Sequence, residues 1–319
     1  MQQGIGGKRC RQHEATIASI RRHPTRLKSG KEALKLRFVG QRMAEKIDDV
    51  IKTGNMRRLQ YEESTESAIV TKLFMGIYGV GMTTARDWYS RGMRTLDDLS
   101  GSHRRIVLTP AQQIGLKYYT DLAERMPRSE AKAIFDAIKA IAIGIDPSLE
   151  LTIMGSYRRG QETCGDIDIL LTRPTIDGRS HSGVLRKLLP KLRAAGVLTE
   201  DLSYPSDLDD EEAKYMGLCR LGHEGKMRRI DILTIPYHQR GAALIYFTGD
   251  DVFNRSLRLK ARHDGYSLNQ RGLFTGVTRD PKTKVKLSNG IIIASETERE
   301  IFNILKVPWQ EPHQRRRAT

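Results

Sequence analysis

Two acidic residues in the segment GDID carry the strongest chemical signal of this sequence. Asp166 and Asp168 are separated by one apolar residue, and strand side chains alternate, so both carboxylates are predicted to project from one face. Adjacent carboxylates repel each other unless a cation lies between them. Mg²⁺ binds through carboxylates and substrate phosphates, and the upstream turn GSYRRG offers Ser156 and Arg159 to such phosphates. This spacing predicts a nucleotidyltransferase site.

A third acidic residue, Asp231, lies in a second apolar segment, RRIDIL at residues 228–233. If this segment pairs as a strand beside the strand of Asp166 and Asp168, the three carboxylates form a cluster that suits a two-metal mechanism. The alternative is structural, because an acidic residue near the start of a strand can simply pair with Arg229. The residues alone leave both interpretations open.

The elements that must hold these residues change in character along the chain. Residues 1–60 look helical, and apolar residues at helical spacing predict further helices over residues 129–143 and 184–195. The acidic run at residues 207–212 is expected to be a solvated loop. The predicted strands cover residues 149–154, 166–171, 215–221 and 229–235. A helical first half followed by strands and helices predicts an α+β fold with a mixed sheet.

Composition narrows the classes of protein and of partner. The net charge is +16, and residues 1–60 hold fifteen Lys or Arg against five Asp or Glu, which favours a polyanionic partner such as nucleic acid. Charge alone leaves a merely soluble basic surface about equally favoured. No apolar run reaches the roughly 20 residues of a membrane span, and three scattered cysteines argue against a disulfide framework or a zinc cluster.

Two turns between predicted helices have the form of helix-hairpin-helix motifs. In the clearer copy, Gly79 and Gly81 permit close approach, so that amide groups at a helix start can face a DNA phosphate. In the second copy, around Gly40 and Arg42, Phe38 replaces the first glycine and is expected to resist a positive φ and to weaken DNA binding. Either turn alone could be an ordinary tight turn. Two copies in a basic chain favour contacts with the DNA backbone, which do not read sequence.

Lys46 lies one helical turn from Arg42 on the same predicted helix face. Neighbouring cations lower the pKa of a lysine and thereby raise the fraction of neutral amine that can attack an aldehyde. Spacing by itself favours a solvated or phosphate-binding lysine.

A further group of residues follows the third acidic residue. Tyr246 and Phe247 precede Gly249, which allows the chain to bend before a predicted helix that carries Asn254 and Arg258 one turn apart. Taken alone, the two aromatic residues are expected in a core and Arg258 on the surface.

The order and spacing of the motifs GSYRRG, GDID, RRIDI and YFTG resemble the family X DNA polymerases. The segments that begin at Thr163 (TCGD), Asp177 (DGRSH) and Phe253 (FNRS) are similar to the lambda branch in particular. The resemblance extends from about residue 10 to Pro312. It implies a lyase-like helical domain with a helix-hairpin-helix (1–60), a DNA-binding subdomain with a second one (61–126), a catalytic palm (127–237) and a small α/β nucleotide-selection subdomain (238–319).

The resemblance also implies roles for individual residues. Asp166 and Asp168 match carboxylates that hold two metal ions, and Asp231 matches the one that helps to activate the primer 3′-hydroxyl. Lys46 matches the Schiff-base nucleophile of a 5′-deoxyribose phosphate lyase. The positions that match nucleotide ligands are Ser156, Arg159, Arg125, Gly165, Tyr246, Phe247, Gly249 and Asn254. The positions that match DNA contacts are Gly40, Arg42, Gly79, Gly81, Arg229 and Arg258.

The chain departs from the family pattern at several of its positions. Phe38 stands in place of a hairpin glycine, and His13 lies about where a lyase-site tyrosine is common; both changes bear on the lyase. Asp250 stands in place of a serine and Gln270 in place of a glutamate. Both changes concern the closing of the expected polymerase around its substrates or the fidelity of that polymerase.

We therefore expect a template-directed DNA polymerase that fills short gaps in base excision or end-joining repair, with 5′-deoxyribose phosphate lyase activity. The expected cofactors are two Mg²⁺ ions, with Mn²⁺ as an alternative, and a monovalent cation at the hairpins. The expected partners are gapped or nicked double-stranded DNA, dNTPs and repair proteins, for a monomeric, intracellular, nuclear protein with no membrane partner. The rival functions are a template-independent terminal nucleotidyltransferase and a non-catalytic DNA-end scaffold. No BRCT-like region precedes the helical segment, which leaves a short family member or a trimmed chain as alternatives.

Overall fold

The computed structural model describes residues 16–54, 56, 61, 64–100, 106–280, 283 and 285–316, and the structural statements below concern these residues. His13 lies outside them. One compact unit contains the described residues up to Met75 together with Val80–Ile106, and a second contains Gly76–Gly79 and the described residues from Val107 onward. No described helix combines the length and the apolarity that crossing a membrane requires.

Helices are the only regular secondary structure among the described residues of the first unit. Its helices are α1 (residues 16–21), α2 (Gly30–Ala33), α3 (Gln41–Thr53), α4 (Glu66–Met75), α5 (Met82–Ser90) and α6 (Asp97–Ser100). Helices α4 and α5 pack through the buried rings of Phe74 and Trp88, which meet edge to face with their centroids 5.8 Å apart. This contact between the two rings therefore holds α4 and α5 together.

The turns that precede α3 and α5 have the same backbone conformation. Gly40 caps α3 with φ −96° and ψ 174°, and Gly81 caps α5 with φ −94° and ψ 174°. Two residues before each cap, φ is +69° at Phe38 and +78° at Gly79. Phe38 thus adopts the left-handed conformation that it was expected to resist, at a cost of about 1–2 kcal/mol. The hairpin geometry overrides the local preference of the phenylalanine.

The second unit contains both helices and strands. Its helices are α7 (Pro110–Lys117), α8 (Tyr119–Ala123), α9 (Arg128–Ile143), α10 (Gly155–Arg158), α11 (Val184–Ala194), α12 (Arg240–Thr248), α13 (Asp251–His263) and α14 (Glu298–Ile304), with 3₁₀ turns at Tyr237–Gln239 and Pro312–Gln314. Its strands are β1 (Met126–Pro127), β2 (Glu150–Ile153), β3 (Thr163–Cys164), β4 (Ile167–Thr172), β5 (Leu198–Ser203), β6 (Lys214–Cys219), β7 (Arg228–Thr234), β8 (Ser267–Asn269), β9 (Gly272–Thr275) and β10 (Ile291–Ala294).

A five-stranded mixed sheet is the main scaffold of this unit, with the order β2-β4-β7-β6-β5. Strands β4 and β7 are parallel, whereas the other neighbouring pairs are antiparallel. The parallel register places Asp168 directly opposite Asp231. The predicted α+β fold with a mixed sheet is therefore confirmed.

Alternation along β4 separates the apolar core from the polar site. Ile167, Ile169 and Leu171 pack into the largest core cluster, together with residues of α9 and α11. Leu170 faces the other way and packs with Ala243 of α12. Asp168 shares the face of Leu170 because strand side chains alternate, so the sheet holds the carboxylate away from the main core.

Several strands were not predicted from the sequence. Strand β5 is an edge strand whose residues after Leu198 are partly or fully exposed, so it lacks the continuous apolar pattern of β4. Strands β8, β9 and β10 form a separate antiparallel sheet of three- and four-residue strands. Short strands carry too few residues for alternation to be recognised.

Glu298 joins two arginine side chains inside the second unit. Its Oε2 accepts a hydrogen bond from Nη2 of Arg158 at 2.6 Å, and its Oε1 accepts one from Nη1 of Arg315 at 2.5 Å. The side chain of Arg315 is fully buried, with its guanidinium about 5 Å from the ring centres of Phe302 and Trp309. Burial opposes ionisation of Glu298, but the two guanidinium groups hold its pKa below the ordinary value. This network ties the end of α10 to α14 and to the C-terminal segment.

Replacing Glu298 by Gln should lower the free energy of unfolding by about 3 kcal/mol at pH 7, because two largely buried guanidinium groups lose their counter-charge. The folded-state pKa is depressed, so the contribution of Glu298 is complete above its ordinary value of 4.5 and is lost as the pH falls through the lower folded-state value. Urea unfolding across this pH range measures both effects. Glu300→Gln, at an exposed position of α14, is the control. Equal stability of Glu298→Gln and wild type at pH 7 would contradict the structural role.

Candidate active site

A cavity of about 900 Å³ in the second unit is lined by residues from several distant segments. Its walls come from α10, from the segment that leads into β4, and from α12 and α13. The lining includes eleven residues that the sequence singled out: Asp166, Asp168, Ser156, Arg159, Arg125, Gly165, Tyr246, Phe247, Gly249, Asn254 and Arg258. Two of the three carboxylates expected to hold metal ions, and the residues expected to hold a nucleotide, thus border one common space.

The third carboxylate, Asp231, lies beside this cavity and is not part of its lining. Asp231 is opposite Asp168 in the sheet register, and its Oδ2 lies 2.8 Å from Nζ of Lys214 on the adjacent strand β6. Arg229, the alternative partner considered from the sequence, forms its ion pair with Asp166. The strand pairing that a three-carboxylate cluster requires is therefore present, with two of the carboxylates paired to cations.

The acidic residues suit a hard divalent cation by their chemistry. Among the described residues, no group of three or more His, Cys, Asp or Glu side chains converges closely enough in this conformation to hold a metal ion. Arg229 and Lys214 neutralise two of the three carboxylates at this end of the sheet. Carboxylate oxygens are the ligands that Mg²⁺ and Mn²⁺ prefer, and a bound cation would take over the charge compensation that the two side chains provide here.

The carboxylate of Asp168 lies in unfavourable electrostatic surroundings. Burial, then the neighbouring charges of Asp166 and Asp231, raise the pKa of Asp168 to about 7. The nearby cations Arg229 and Lys214 act in the opposite direction but do not cancel the rise. The site therefore disfavours its own negative charge and favours a cation beside Asp168.

Gly155 allows helix α10 to approach the carboxylate of Asp168. Its φ is +56°, and a Cβ atom at this position would lie 2.3 Å from Oδ2 of Asp168. Glycine supplies both the left-handed backbone and the space for the carboxylate. The first residue of the GSYRRG motif is thus a steric requirement of the acidic site.

Three polar side chains form the part of the lining that suits an anion. The Oγ of Ser156 is buried and has no hydrogen-bond partner within the described chain. Arg159 donates from Nη1 to the carbonyl of Thr248 at 2.5 Å, and Arg125 donates to the hydroxyl and carbonyl oxygens of Thr163 at 2.8 and 2.6 Å. Each guanidinium has five N–H donors, so donors remain on both arginines for a ligand. An orphaned hydroxyl and two anchored guanidinium groups fit a phosphate-bearing molecule.

Another part of the lining is aromatic and amphipathic. The rings of Tyr246 and Phe247 meet edge to face with centroids 4.8 Å apart. Asn254 donates to the carbonyl of Tyr246 at 2.6 Å, and the guanidinium of Arg258 lies 4.7 Å from the centre of the Tyr246 ring. These residues line the cavity together, and Phe247 also packs against a small core cluster with Leu170 and Ala243, so the aromatic pair borders both the core and the cavity.

Lys46 lines a different cavity, of about 360 Å³, in the first unit. The lining also includes the apolar side chains of Leu27, Met43 and Ile47, and Lys46 itself is partly buried. Arg42, one turn earlier on α3, is exposed. Lys46 therefore lies at an apolar recess, a setting that its spacing from Arg42 did not predict.

The other positions matched to DNA contacts have defined local roles. Gly40 and Gly81 cap helices, and Gly79 forms a left-handed turn. Arg229 pairs with Asp166, and Arg258 stacks on Tyr246. Their contacts with DNA stay predictions.

Sequence reasoning did not single out several residues at this site as functional. Lys214 reaches Asp231 only because β6 pairs with β7, and no motif marks it. Arg255 donates to Asp251 at 2.9 Å, a pair one helical turn apart that its spacing could have indicated. The further lining residues without a sequence-based role are Gly155, Gln161 and Arg316.

Replacing Gly155 by Ala should lower the free energy of unfolding by about 2–4 kcal/mol, because a left-handed alanine costs about 1–2 kcal/mol and its Cβ displaces the Asp168 carboxylate. Gly178→Ala is the matched control. Its φ is +74°, and a Cβ atom added there would meet no described atom within 4 Å, so it should show only the backbone cost. Urea unfolding compares the two variants. Equal losses would show that the contact with Asp168 is unimportant.

Comparisons with known protein families match the chain in four successive parts. A helix-hairpin-helix domain matches residues 3–56, the fingers domain of DNA polymerase lambda matches 72–123, the DNA polymerase beta palm matches 125–237, and the DNA polymerase beta thumb matches 243–316. The carboxylates Asp166, Asp168 and Asp231 all fall within the palm match.

Curated relatives give the same picture. DNA polymerase lambda of Rattus norvegicus is 41% identical over 288 residues, which cover 90% of this chain and 49% of the relative. DNA polymerase lambda of Arabidopsis thaliana is 36% identical over 303 residues, which cover 94% of this chain and 56% of the relative. The chain spans about half the length of these relatives. Four domain matches in order, with this identity across nine tenths of the chain, show that it belongs to the family X DNA polymerases and is similar to their lambda branch.

Proposed function

We propose that the chain is a template-directed DNA polymerase that fills short gaps during base excision or end-joining repair. The polymer is built by nucleotidyl transfer at the large cavity of the second unit. A second activity, removal of a 5′-deoxyribose phosphate, is proposed for the cavity at Lys46. The proposal draws on family membership and on the arrangement of this chain's own residues.

One observation carries the polymerase proposal. The parallel register of β4 and β7 sets Asp231 opposite Asp168, and Asp168 lines a cavity together with Ser156, Arg159 and Tyr246. Carboxylates for metal ions, donors for phosphates and an aromatic surface for a sugar thus lie together. A DNA-end scaffold that only binds has no need for a charge conflict such as that at Asp168, so the arrangement favours catalysis over the scaffold.

The carboxylates prepare the site for the reacting groups. Asp166 and Asp168 would hold two divalent ions and Asp231 one of them; we propose Mg²⁺, with Mn²⁺ as an alternative. When bound, such ions lower the pKa of the attacking hydroxyl and stabilise negative charge on the triphosphate and the leaving pyrophosphate. Asp231 is the carboxylate that we assign to activation of the primer 3′-hydroxyl.

The remaining residues orient the incoming nucleotide. Ser156, Arg159 and Arg125 donate to the triphosphate, with Gly165 keeping the backbone close to Arg125. Tyr246 packs with Phe247 against the deoxyribose at Gly249, where a 2′-hydroxyl would be crowded. Asn254 contacts the base. Holding these groups in one geometry supplies the proximity on which phosphoryl transfer depends.

DNA is the proposed polymeric substrate. Gly40 and Gly81 place helix starts where backbone amides can face phosphates, with a monovalent cation as a further proposed ligand of the hairpins. Arg42, Arg229 and Arg258 are the proposed side-chain contacts. We propose the four-part division given above, gapped or nicked duplex as the bound form, repair proteins as partners, a monomeric state and a nuclear location.

Asp168→Asn should abolish primer extension on a one-nucleotide gap, with a loss of at least about 10³-fold, because the site loses a carboxylate of the metal cluster. Binding of gapped DNA should change little. Asp210→Asn, in the acidic loop, is the control and should extend normally. Single-stranded primer, offered in parallel, should be extended poorly. A terminal transferase would instead extend the single-stranded primer as well as the gapped substrate. Robust extension by Asp168→Asn would overturn the assignment.

The lyase proposal rests on the setting of Lys46. Its amine lies at a recess with Leu27, Met43 and Ile47, next to the exposed cation Arg42. A lysine amine at such a recess can attack the aldehyde of a sugar held there and form a Schiff base.

Lys46→Ala should abolish the covalent adduct that borohydride traps on an incised abasic DNA. Lys52→Ala, at an exposed position of the same helix, is the matched control and should trap as well as wild type. Denaturing gels of labelled DNA measure the adduct. Equal trapping in Lys46→Ala would assign the chemistry to another amine.

A further inference from the structure

Arg316 lines the cavity that contains Asp166 and Asp168. No site motif of the sequence includes it, and it is the last residue of the thumb match. Its side chain is exposed, so it can reorient toward a ligand. The position of its backbone depends on the contacts of the preceding residue, Arg315.

The residue before it is anchored firmly. Arg315 is fully buried, pairs with Glu298 at 2.5 Å, and donates from Nε to the carbonyl of Gln310 at 3.0 Å. Its own carbonyl accepts a hydrogen bond from the amide of Asp250 at 3.0 Å. The backbone of Arg316 therefore starts at a fixed point beside Asp250, which also lines the cavity.

This fixed point lies at the phosphate end of the cavity. Gly249 precedes Asp250, and a Cβ atom at Gly249 would lie 3.1 Å from Nη1 of Arg159. The same Nη1 donates to the carbonyl of Thr248. The segment that receives the C-terminal backbone thus also touches the guanidinium that is proposed to hold the triphosphate.

The cavity lining contains both basic and acidic residues, and some of the basic ones already have partners. The basic residues of the lining are Arg125, Arg159, Arg255, Arg258 and Arg316, and the acidic ones are Asp166, Asp168, Asp250 and Asp251. Arg255 pairs with Asp251, and Arg258 stacks on Tyr246. A nucleoside triphosphate brings several negative charges into this space, and Arg316 is a cation at its phosphate end without another role in the mechanism.

We propose that Arg316 is a further ligand of the incoming nucleotide and contacts its triphosphate. The inference rests on the proposed polymerase function of the same cavity. The guanidinium forms charge-assisted hydrogen bonds to phosphate oxygens, and the Glu298–Arg315 anchor positions it. The C-terminal segment is thus part of the nucleotide site.

The test measures nucleotide binding without turnover. Wild type, Arg316→Gln and Arg316→Lys are titrated with the complementary dNTP on gapped DNA whose primer ends in a dideoxynucleotide, in Mg²⁺, at low and high salt. The Kd for the gapped DNA alone is measured separately. Arg262→Gln is the charge-matched control, because Arg262 is exposed on α13 and does not line the cavity. Thermal unfolding checks that each variant folds.

Arg316→Gln should raise the dNTP Kd about fivefold at low salt and less at high salt, as expected for one exposed charge contact. Arg316→Lys and Arg262→Gln should stay near wild type, and the DNA Kd should be unchanged. An unchanged dNTP Kd in Arg316→Gln overturns the inference while gap filling by wild type still supports the polymerase. A higher Kd for DNA with an unchanged dNTP Kd also overturns it and assigns Arg316 to a DNA phosphate. Failure of wild type to bind dNTP and to fill the gap overturns both proposals.

Discussion

The packing of like charges at one end of the mixed sheet is the constraint on which the rest of the site depends. The parallel pairing of β4 and β7 places Asp168 directly beside Asp231. Asp166 lies two residues before Asp168 in the same segment. Burial and these neighbours raise the pKa of Asp168 to about 7. Arg229 and Lys214 supply the compensating charge from adjacent positions of the sheet. A site that resists its own negative charge in this way is suited to divalent cations and to a substrate that brings them.

The two consecutive arginines of the GSYRRG turn, Arg158 and Arg159, have different roles. Arg158 points into the buried network with Glu298, whereas Arg159 lines the cavity and donates to Thr248. The first contact holds α10 against α14, and the second leaves a guanidinium facing the ligand. The same network fixes Arg315 and so brings the C-terminal segment to the edge of the cavity. Folding stability and ligand binding therefore both depend on the short segment of residues 155–159.

The two hairpin turns show how far a turn geometry can override a residue's conformational preference. Phe38 and Gly79 have nearly the same positive φ, although only glycine adopts it without strain. The caps at Gly40 and Gly81 match within a few degrees. The surrounding helices thus hold Phe38 in the hairpin conformation. The strained backbone of Phe38 lies in the turn that precedes α3, the helix of Lys46.

The amino-acid order by itself determined the motifs, the alternation of β4 and β7, the helical first half and the family. It did so because carboxylate spacing, apolar periodicity and glycine placement are local properties. Tertiary structure alone decided that Asp231 pairs with Lys214, that Arg229 pairs with Asp166, and that Gly155 leaves room for Asp168. It also placed Arg316 in the cavity lining and Lys46 at an apolar recess. These contacts join segments far apart in sequence, and no local pattern encodes which strand register or which buried ion pair brings them together.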